Sequence, residues 1–136
     1  MPPSVYVEDI LVKIPSESVQ ASPSEIFMSL FRNRLSFVIL VNGDQKPVAY
    51  LDSAEFLRNF HFGREEERGF GEISIKKKFV SVRKNIKIVD ALPFFKKAET
   101  NFLVVVNEHE HYEGIVYLTD LVKVSFQEEL AKLESD

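Results

Sequence analysis

The stretch from Asn101 to Val122, NFLVVVNEHEHYEGIVYLTDLV, decides the fold of this chain. An apolar run from Phe102 to Val106 leads into a polar cluster, and a second apolar run follows from Ile115 to Leu118. Two short β-rich runs on either side of a turn-like cluster predict a hairpin. Thr119-Asp120-Leu121 comes next and predicts that a helix follows the second strand, because such residues are common at helix starts.

The same pattern occurs 65 residues earlier in the chain. Phe37–Asn42 (FVILVN) aligns with Phe102–Asn107 (FLVVVN), and Ala49–Phe56 (AYLDSAEF) aligns with Gly114–Leu121 (GIVYLTDL) without a gap. A fixed internal period is the signature of a tandem repeat. The chain is therefore predicted to contain two similar units, and the fold class is α/β (α+β).

The first repeat is predicted to begin with a strand near Val19 and a helix after it. Ser22 is suited to cap this helix and Pro23 to occupy its first position. Glu25 can reach back to complete a capping box.

The hairpin of the first repeat is predicted from Phe37–Val41, a continuous apolar strand buried on both faces, and from a returning strand over Val48–Leu51. Asn42-Gly43-Asp44-Gln45 predicts a turn between them, since Asn-Gly readily takes positive φ. Asp52 is expected to cap the next helix, with Glu55 favoured by the helix dipole.

The second repeat is predicted to have an extended segment over Ile73–Val82 and a helix over Ile86–Ala98. Pro93 conflicts with that helix, because an interior proline loses a hydrogen bond and clashes one turn back. We therefore expect a late start or a kink there. Thr119 or Tyr117 is expected to cap the last helix.

These elements predict one module over residues 1–136. Repeat one covers about 7–60, repeat two about 73–126, and a helical tail about 127–136. The segment His61–Gly71 (HFGREEERGFG) is charged and interrupted by glycine, so we predict a linker there. One unit of roughly 50–60 residues buries little surface alone, so two units packed together would share a core.

Composition excludes several kinds of function. The net charge of −4 gives no general attraction to nucleic acid, and the absence of cysteine excludes disulfides, thiol nucleophiles and cysteine-ligated zinc. There is no signal-peptide pattern and no apolar run near the roughly 20 residues of a membrane span, so we expect no membrane association and a cytoplasmic location. No nucleophile–base pair or phosphate-binding loop is present, which argues against an enzyme and predicts no catalytic residues and no cofactor.

The repeats resemble a pair of CBS domains, often called a Bateman module. The resemblance is carried by Val7–Leu11 (VEDIL), by the helix followed by FVILVN, and above all by Gly114–Leu121. The family pattern at that last place is glycine, two apolar residues, threonine or serine, any two residues, aspartate and an apolar residue. The resemblance implies two repeats related by pseudo-twofold symmetry, with two clefts between their sheets.

The resemblance also implies a regulatory or sensor function. Such clefts commonly bind an adenosine-containing ligand: AMP, ADP, ATP or S-adenosylmethionine. The family aspartate hydrogen-bonds the ribose hydroxyls, a role that falls here to Asp120, since a carboxylate can accept from both hydroxyls of a cis-diol. The other expected ligand-binding residues lie at the entry to the repeat's first strand, in the hairpin and at the helix start, where free N–H groups face phosphate: Ser81, Val82, Ile115, Val116, Tyr117 and Thr119.

The sequence departs from the family pattern at several of these positions. Tyr117 stands where the family has threonine or serine. In the first repeat Ala49 replaces the glycine, Asp52 stands on the phosphate side and Glu55 replaces the aspartate. A second cleft using Glu55, Asp52, Val19 and Ala21 therefore ranks below the cleft using Asp120.

Simpler interpretations remain open from sequence alone. An acid at the third helical position, such as Asp120, is also an ordinary helix-start residue. His109 and His111, with Glu108 or Glu113, could hold a divalent metal, but a solvated hairpin tip is favoured and no metal site is predicted. Lys76-Lys77-Lys78 suits either phosphate contact or an exposed strand edge.

Three functions follow in order of preference. The first is a ligand-binding regulatory module, and the second is a ligand-free module of the same fold that binds a protein partner or itself. A small enzyme comes last. The resemblance also implies a homodimer formed through exposed helices.

Overall fold

The computed structural model describes residues 5–34, 36–54 and 78–134. The chain divides into two compact units. The first-repeat unit extends from Ile14 to Lys78, and the second-repeat unit combines residues up to Lys13 with those from Phe79 onward. The predicted α/β fold class with two repeats is confirmed.

The elements in chain order are a 3-10 helix Val7–Asp9, β1 Ser16–Ser18, α1 Pro23–Asn33, β2 Phe37–Val41, β3 Pro47–Asp52, β4 Ser81–Arg83, α2 Ile88–Ala91, a 3-10 helix Leu92–Lys96, β5 Phe102–Val106, β6 Tyr112–Tyr117 and α3 Leu118–Glu134.

Each unit contains a three-stranded sheet, in the orders β1-β2-β3 and β4-β5-β6. The first pair of strands is parallel and the second pair is an antiparallel hairpin in both sheets. Phe37 pairs with Asp52, and Phe102 pairs with Tyr117 65 positions later. Even the register shift recurs, after Leu40 in one hairpin and after Val105 in the other. The period found in the sequence is therefore the period of the backbone pairing.

The central strands β2 and β5 are buried at every position, as the unbroken apolar runs predict. One face of each sheet packs against helices. In the first-repeat unit, Val38 and Leu40 join Ile26 and Leu30 of α1 in one core cluster. In the second-repeat unit, the corresponding cluster contains residues of β4, β5 and β6 together with the helical residues Ile88, Ala91 and Leu121.

The start of α1 is formed as predicted for Ser22 and Pro23, but the capping box is incomplete, because no hydrogen bond joins the Glu25 side chain to the Ser22 backbone within the described residues. The Ser22 hydroxyl accepts a hydrogen bond from the Glu25 backbone N–H at 3.2 Å, and Pro23 occupies the first turn. Residue Arg34 ends the helix in the left-handed conformation, with φ of 50°. The strand predicted near Val19 is present as β1, Ser16–Ser18, but Val19 itself lies one residue beyond it, in the following turn.

Pro93 changes the type of helix. The α-helical hydrogen bonding of α2 stops at Ala91, and a 3-10 helix continues over Leu92–Lys96 with the proline in its first turn. The missing N–H of a proline is tolerated at the start of a helix. The conflict seen in the sequence is therefore resolved by a short α-helix followed by a 3-10 helix.

Both hairpin turns are closed by an asparagine side chain. Asn42 Oδ1 accepts from the backbone N–H groups of Asp44 and Lys46 at 2.9 and 3.1 Å. Asn107 Oδ1 does the same for His109 and His111, at 2.8 and 3.0 Å.

The positive φ in these turns falls at Gln45 (62°) and Glu110 (64°). The turn predicted over residues 42–45 is therefore present, but its positive φ lies at Gln45 and not at Asn42-Gly43.

The N-terminal segment packs on the second repeat. The backbone N–H groups of Val7 and Glu8 donate to the carbonyls of Ile86 and Lys84, at 2.9 and 3.0 Å. Val12 then exchanges two backbone hydrogen bonds with Ile115, each 2.9 Å, along the outer edge of β6. We call residues 5–13 the strap. The sequence pattern predicts residues 7–13 as part of repeat one, whereas the structure packs them with residues 79–134.

Several predicted features lie outside the described residues. These are Glu55, the second helix of the first repeat beyond residue 54, the linker His61–Gly71, the strand prediction over Ile73–Lys77, and Lys76 and Lys77.

Candidate functional site

The residues predicted to bind a ligand lie at one end of the second-repeat sheet. Strand β4 begins with Ser81, and β6 ends with Tyr117, on opposite sides of β5. Because β4 is parallel and β6 antiparallel to β5, the start of β4 and the end of β6 meet at the same end of the sheet. Helix α3 starts there too, with the Leu118 N–H donating to the Asn101 carbonyl at 2.8 Å.

Asp120 is the third residue of α3 and is half-buried. No hydrogen bond or ion pair joins its side chain to another residue among those the structure describes. Thr119 is the second residue of the helix and is exposed, so it does not cap the helix. Tyr117 immediately precedes the helix, as predicted for one of the two candidate caps. Asp120 is therefore an acid at a helix start whose carboxylate oxygens accept no hydrogen bond from the described residues.

Ser81 and Ile115 share one row across the sheet. Ser81 pairs with Val104, and Val104 pairs with Ile115. Residues paired in register have side chains on the same face, and two strand spacings place these backbones about 10 Å apart. Ser81 is exposed, whereas Ile115 is fully buried.

Val82 and Val116 lie on the opposite face of the sheet from Ile115. Both belong to the helix-covered core cluster, with exposures of 4% and 0%. Their side chains contribute to the core, so only their backbone groups are available to a ligand. The structure therefore brings Ser81, Ile115 and Tyr117 to one face and separates Val82 and Val116 from them.

Tyr112 shares the face of Ile115 and Tyr117 and was missed from the sequence. It pairs with Val106 at the far end of β6. Burial raises the pKa of the Tyr112 hydroxyl, and the nearby Tyr117 raises it further. Tyr112 is thus a neutral phenol. Simple alternation along β6 would place it on the opposite face, and the register shift between Val105 and Val106 brings it to the face of Ile115.

Gly114 is required by the strap. A Cβ atom at Gly114 would lie 2.6 Å from the Val12 carbonyl oxygen and 2.7 Å from Leu11 Cδ1. Such distances are well inside ordinary van der Waals contact. The glycine of the motif therefore has a packing role: it lets the strap pair with β6 beside the candidate site.

The second predicted cleft is only partly described. Asp52 ends β3 and residues 53 and 54 are helical, matching the start of α3 in the other repeat. The 65-residue period makes Ser16 and Glu17 the counterparts of Ser81 and Val82. Val19 is half-buried and packs against the core, and Ala21 is buried within it.

The histidine pair lies at the tip of the second hairpin. The His109 and His111 rings are 5.9 Å apart between centroids, and His109 Nε2 is 3.5 Å from Glu108 Oε1. Glu113 instead accepts from Asn107 Nδ2 at 3.1 Å and lies 3.8 Å from Lys84 Nζ. Among residues 5–34, 36–54 and 78–134, no group of three or more metal-ligating side chains is assembled.

Searches by sequence identify one family. Residues 70–126 match the family model described as CBS domain. No curated protein matches the chain. Over the described part of the chain, no helix has both the length and the apolar character needed to cross a membrane.

Solved structures match most of the chain. A CBS domain-containing protein of unknown function from Bacillus anthracis superposes with a TM-score of 0.71 and 17% identity, covering 90% of this chain and 94% of that one. The CBS domain of a bacterial CNNM/CorC family Mg²⁺ transporter in complex with ATP gives 0.71 and 17%, with coverage of 88% and 85%.

A conserved CBS-domain protein of unknown function from Thermoplasma acidophilum gives a TM-score of 0.64 and 17% identity, with coverage of 89% of this chain and 69% of that one. At such identities, similarity establishes the fold and leaves function to the site. The resemblance noted in the sequence is thus confirmed: residues 70–126 match the CBS domain model, and the chain has the fold of the solved CBS-domain structures.

Proposed function

We propose that the chain is a regulatory module that binds an adenosine-containing ligand at the start of α3 in the second repeat. The observation that carries this proposal is the state of Asp120. Its carboxylate is half-buried, lies at a helix start and has no partner among the described residues. An ionised carboxylate can accept from both hydroxyls of a ribose, and such charge-assisted bonds are about twice as strong as neutral ones.

The residues around Asp120 would contact the other parts of the ligand. Ser81 is exposed at the start of β4 and offers backbone groups to a base, while Ile115, in the same row of the sheet, is fully buried and exposes no side-chain surface to a ligand. Thr119 and the first N–H groups of α3 suit a phosphate or another anionic group. Tyr117 takes the place of a smaller hydroxyl residue and narrows the room for phosphate, which favours ligands with few phosphates or none.

The comparisons support a nucleotide over other ligands. One structural neighbour, the transporter CBS domain, is a complex with ATP. The candidate ligands for this chain are AMP, ADP, ATP and S-adenosylmethionine, which share a ribose for Asp120 and an adenine for the backbone groups at Ser81. We further propose that the protein is not an enzyme and acts by a ligand-dependent shift between states, which requires different affinities for the two states.

Nucleotide binding can be tested with a thermal-shift panel of AMP, ADP, ATP, S-adenosylmethionine, NAD and GTP. A ligand at about 100 times its dissociation constant adds about 2.7 kcal/mol to the free energy of unfolding. We expect a shift with adenosine ligands and none with GTP. Asp120→Asn should abolish it.

Asp90→Asn is the matched control. Asp90 is also the third residue of a helix, in α2 of the same unit, and is exposed. If Asp120 were only a helix-start acid, the two variants would have equal effects on stability and neither would alter binding. Retention of the thermal shift in Asp120→Asn, or no shift with any ligand, would overturn the proposal.

A second function, self-association or partner binding without a nucleotide, is favoured by the exposed surface of α3. Val122, Phe126, Leu130 and Leu133 are 53%, 64%, 42% and 72% exposed. Their spacing places them along one stripe of the helix. Exposed apolar stripes of this kind are typical of interaction surfaces.

Light scattering separates this function from the first. A homodimer formed through the stripe should become a monomer in Phe126→Lys, whereas Phe31→Lys, at an equally exposed phenylalanine of α1, should leave it unchanged. A wild-type monomer over a wide concentration range would count against this second function.

A further inference from the structure

The first-repeat unit has a groove that the proposed nucleotide site does not use. Its volume is about 520 Å³, within the range of small-molecule sites. One wall is α1, which contributes residues from three successive turns, including Glu25, Ser29 and Arg32. The other wall contains Pro15 and Glu17, at the outer strand of the sheet.

The floor of this groove contains a buried hydroxyl with no partner. Ser29 is 8% exposed, and its Oγ atom has no hydrogen-bond partner in the described structure. Leaving a buried polar group unsatisfied destabilises a folded protein. Such a group is unusual in a folded protein and needs an explanation. A ligand seated in the groove would provide one.

Charges of both signs line the groove. Within the described residues, the side chains of Glu17, Glu25 and Arg32 make no ion pair. Glu25 lies in the first turn of α1 and Arg32 in the last. Seven residues of α-helix separate their Cα atoms by about 10 Å along the helix axis.

The other repeat does not keep this chemistry. The 65-residue period places Val82 at the position of Glu17 and Phe94 at the position of Ser29. The polar groove is therefore particular to the first repeat. Phe94 is exposed and lies in a 3-10 helix, so neither the buried hydroxyl of Ser29 nor the charge of Glu17 recurs in the second repeat.

We propose that this groove binds a short peptide of two or three residues through its free termini. The ammonium group would lie near Glu25 and Glu17, and the carboxylate would lie on the Arg32 guanidinium, which suits bidentate recognition. An extended tripeptide spans about 10 Å, which matches the separation of the opposite charges along the helix. Met28 and Pro15 supply apolar surface for its side chains, and the Ser29 hydroxyl is available to its backbone.

The test uses the full chain and trialanine as the probe, followed by ¹H–¹⁵N NMR. For a ligand of this size, we expect a dissociation constant on the order of 0.1–1 mM. Backbone resonances of α1 and β1 should shift, and those of the second repeat should not. Trialanine acetylated at its N-terminus and amidated at its C-terminus lacks both charges and should give no shift.

Two arginine variants provide the matched comparison. Arg32→Gln should weaken trialanine binding at least about tenfold, since it removes a charge-assisted hydrogen bond. Arg34→Gln removes the same charge two residues away, outside the groove, and should bind as the wild type does. Ser29→Ala should weaken binding about fivefold without lowering the melting temperature, because the hydroxyl has no partner in the free protein.

Three results would overturn the proposal. They are no shift at a trialanine concentration on the order of 10 mM, equal shifts with the blocked peptide, or equal effects of the two arginine variants. Asp120 belongs to the other unit. None of these three results would therefore contradict nucleotide binding at Asp120, and the failure of either proposal leaves the other unaffected.

Discussion

The two repeats share a backbone but differ in the side chains set on it. The pairing register, the position of the register shift and the asparagine of the turn all recur at the same period. By contrast, the motif glycine Gly114 is Ala49 in the first repeat, and the capping serine Ser22 is Lys87 in the second. Buried strands and turn chemistry are therefore constrained in both copies, while helix starts and motif positions have diverged.

This difference assigns the two candidate sites to different copies. The second repeat keeps the aspartate and glycine of the family pattern and holds the strap against β6. The first repeat has lost that pattern and has instead a polar groove with a buried serine. A tandem repeat allows this division, because either copy can change its surface without disturbing the pairing that both require.

The largest effect is expected from Gly114→Ala. The added methyl would meet the Val12 carbonyl and the Leu11 side chain, so the strap must move away from β6. We expect a loss of about 3 kcal/mol in the free energy of unfolding, measured by urea denaturation. Gly43→Ala is the control, because a Cβ there meets nothing within 4 Å and a change near zero is expected. Equal effects of the two variants would show that the strap does not pack as described.

Substitutions of the two turn asparagines, Asn42 and Asn107, should also affect the stability of the two repeats differently. Each accepts two backbone N–H groups, so alanine at Asn42 or Asn107 should cost about 1–2 kcal/mol. Asn107 also donates to Glu113, whereas Val48 stands at the corresponding place in the first hairpin.

Aspartate substitutions at the two turn asparagines distinguish the two hairpins more clearly than alanine substitutions do. An aspartate retains the acceptor oxygen, so Asn42→Asp should be nearly neutral in urea denaturation. Asn107→Asp should be destabilising, because its carboxylate would face that of Glu113. Equal costs for the two aspartates would contradict the extra contact in the second hairpin.

Substitutions at the helix N-caps of the two repeats should change the free energy of unfolding by a smaller amount. Ser22→Ala should lower the free energy of unfolding by about 1 kcal/mol, since it removes the bond to the Glu25 N–H. Lys87 precedes α2 without a side-chain cap, so Lys87→Ala should change little and Lys87→Ser should stabilise. Urea denaturation of the three variants measures all of these effects. A stabilising Ser22→Ala would mean that the cap does not form in solution.

Much of the fold could be predicted from the sequence because the determining signals are local. Continuous apolar runs gave β2 and β5, and Ser22-Pro23 gave the start of α1. The packing of the strap was not predicted, since pairing between Val12 and Ile115 joins residues far apart in the chain and leaves no periodic pattern. The groove was missed for the same reason: Glu17 and Ser29 come together only after β1 and α1 have packed.

The candidate site was predicted in part. The resemblance located Asp120 at a helix start, but it did not distinguish the two faces of β6, so Val116 was grouped with Ile115. Side-chain alternation along a strand places consecutive residues on opposite faces, and a register is needed to decide which face is which. Tyr112 was missed because the register shift near Val106 sets its face, and no residue type marks that shift.

Tyr112 gives the smallest expected effect, which appears only at high pH. Burial raises the pKa of its hydroxyl above the ordinary value of 10.0, so the folded protein keeps the proton that the unfolded chain releases. The unfolded state therefore binds fewer protons as the pH passes 10, and the free energy of unfolding must fall. In Tyr112→Phe this contribution is absent, and its stability should decline less steeply between about pH 9 and pH 11. Urea denaturation across that range, with tyrosinate absorbance followed in parallel, measures the difference. Identical pH slopes for the two proteins would mean that the Tyr112 hydroxyl is solvated, and that the face it shares with Ile115 and Tyr117 is open to water where the structure has it buried.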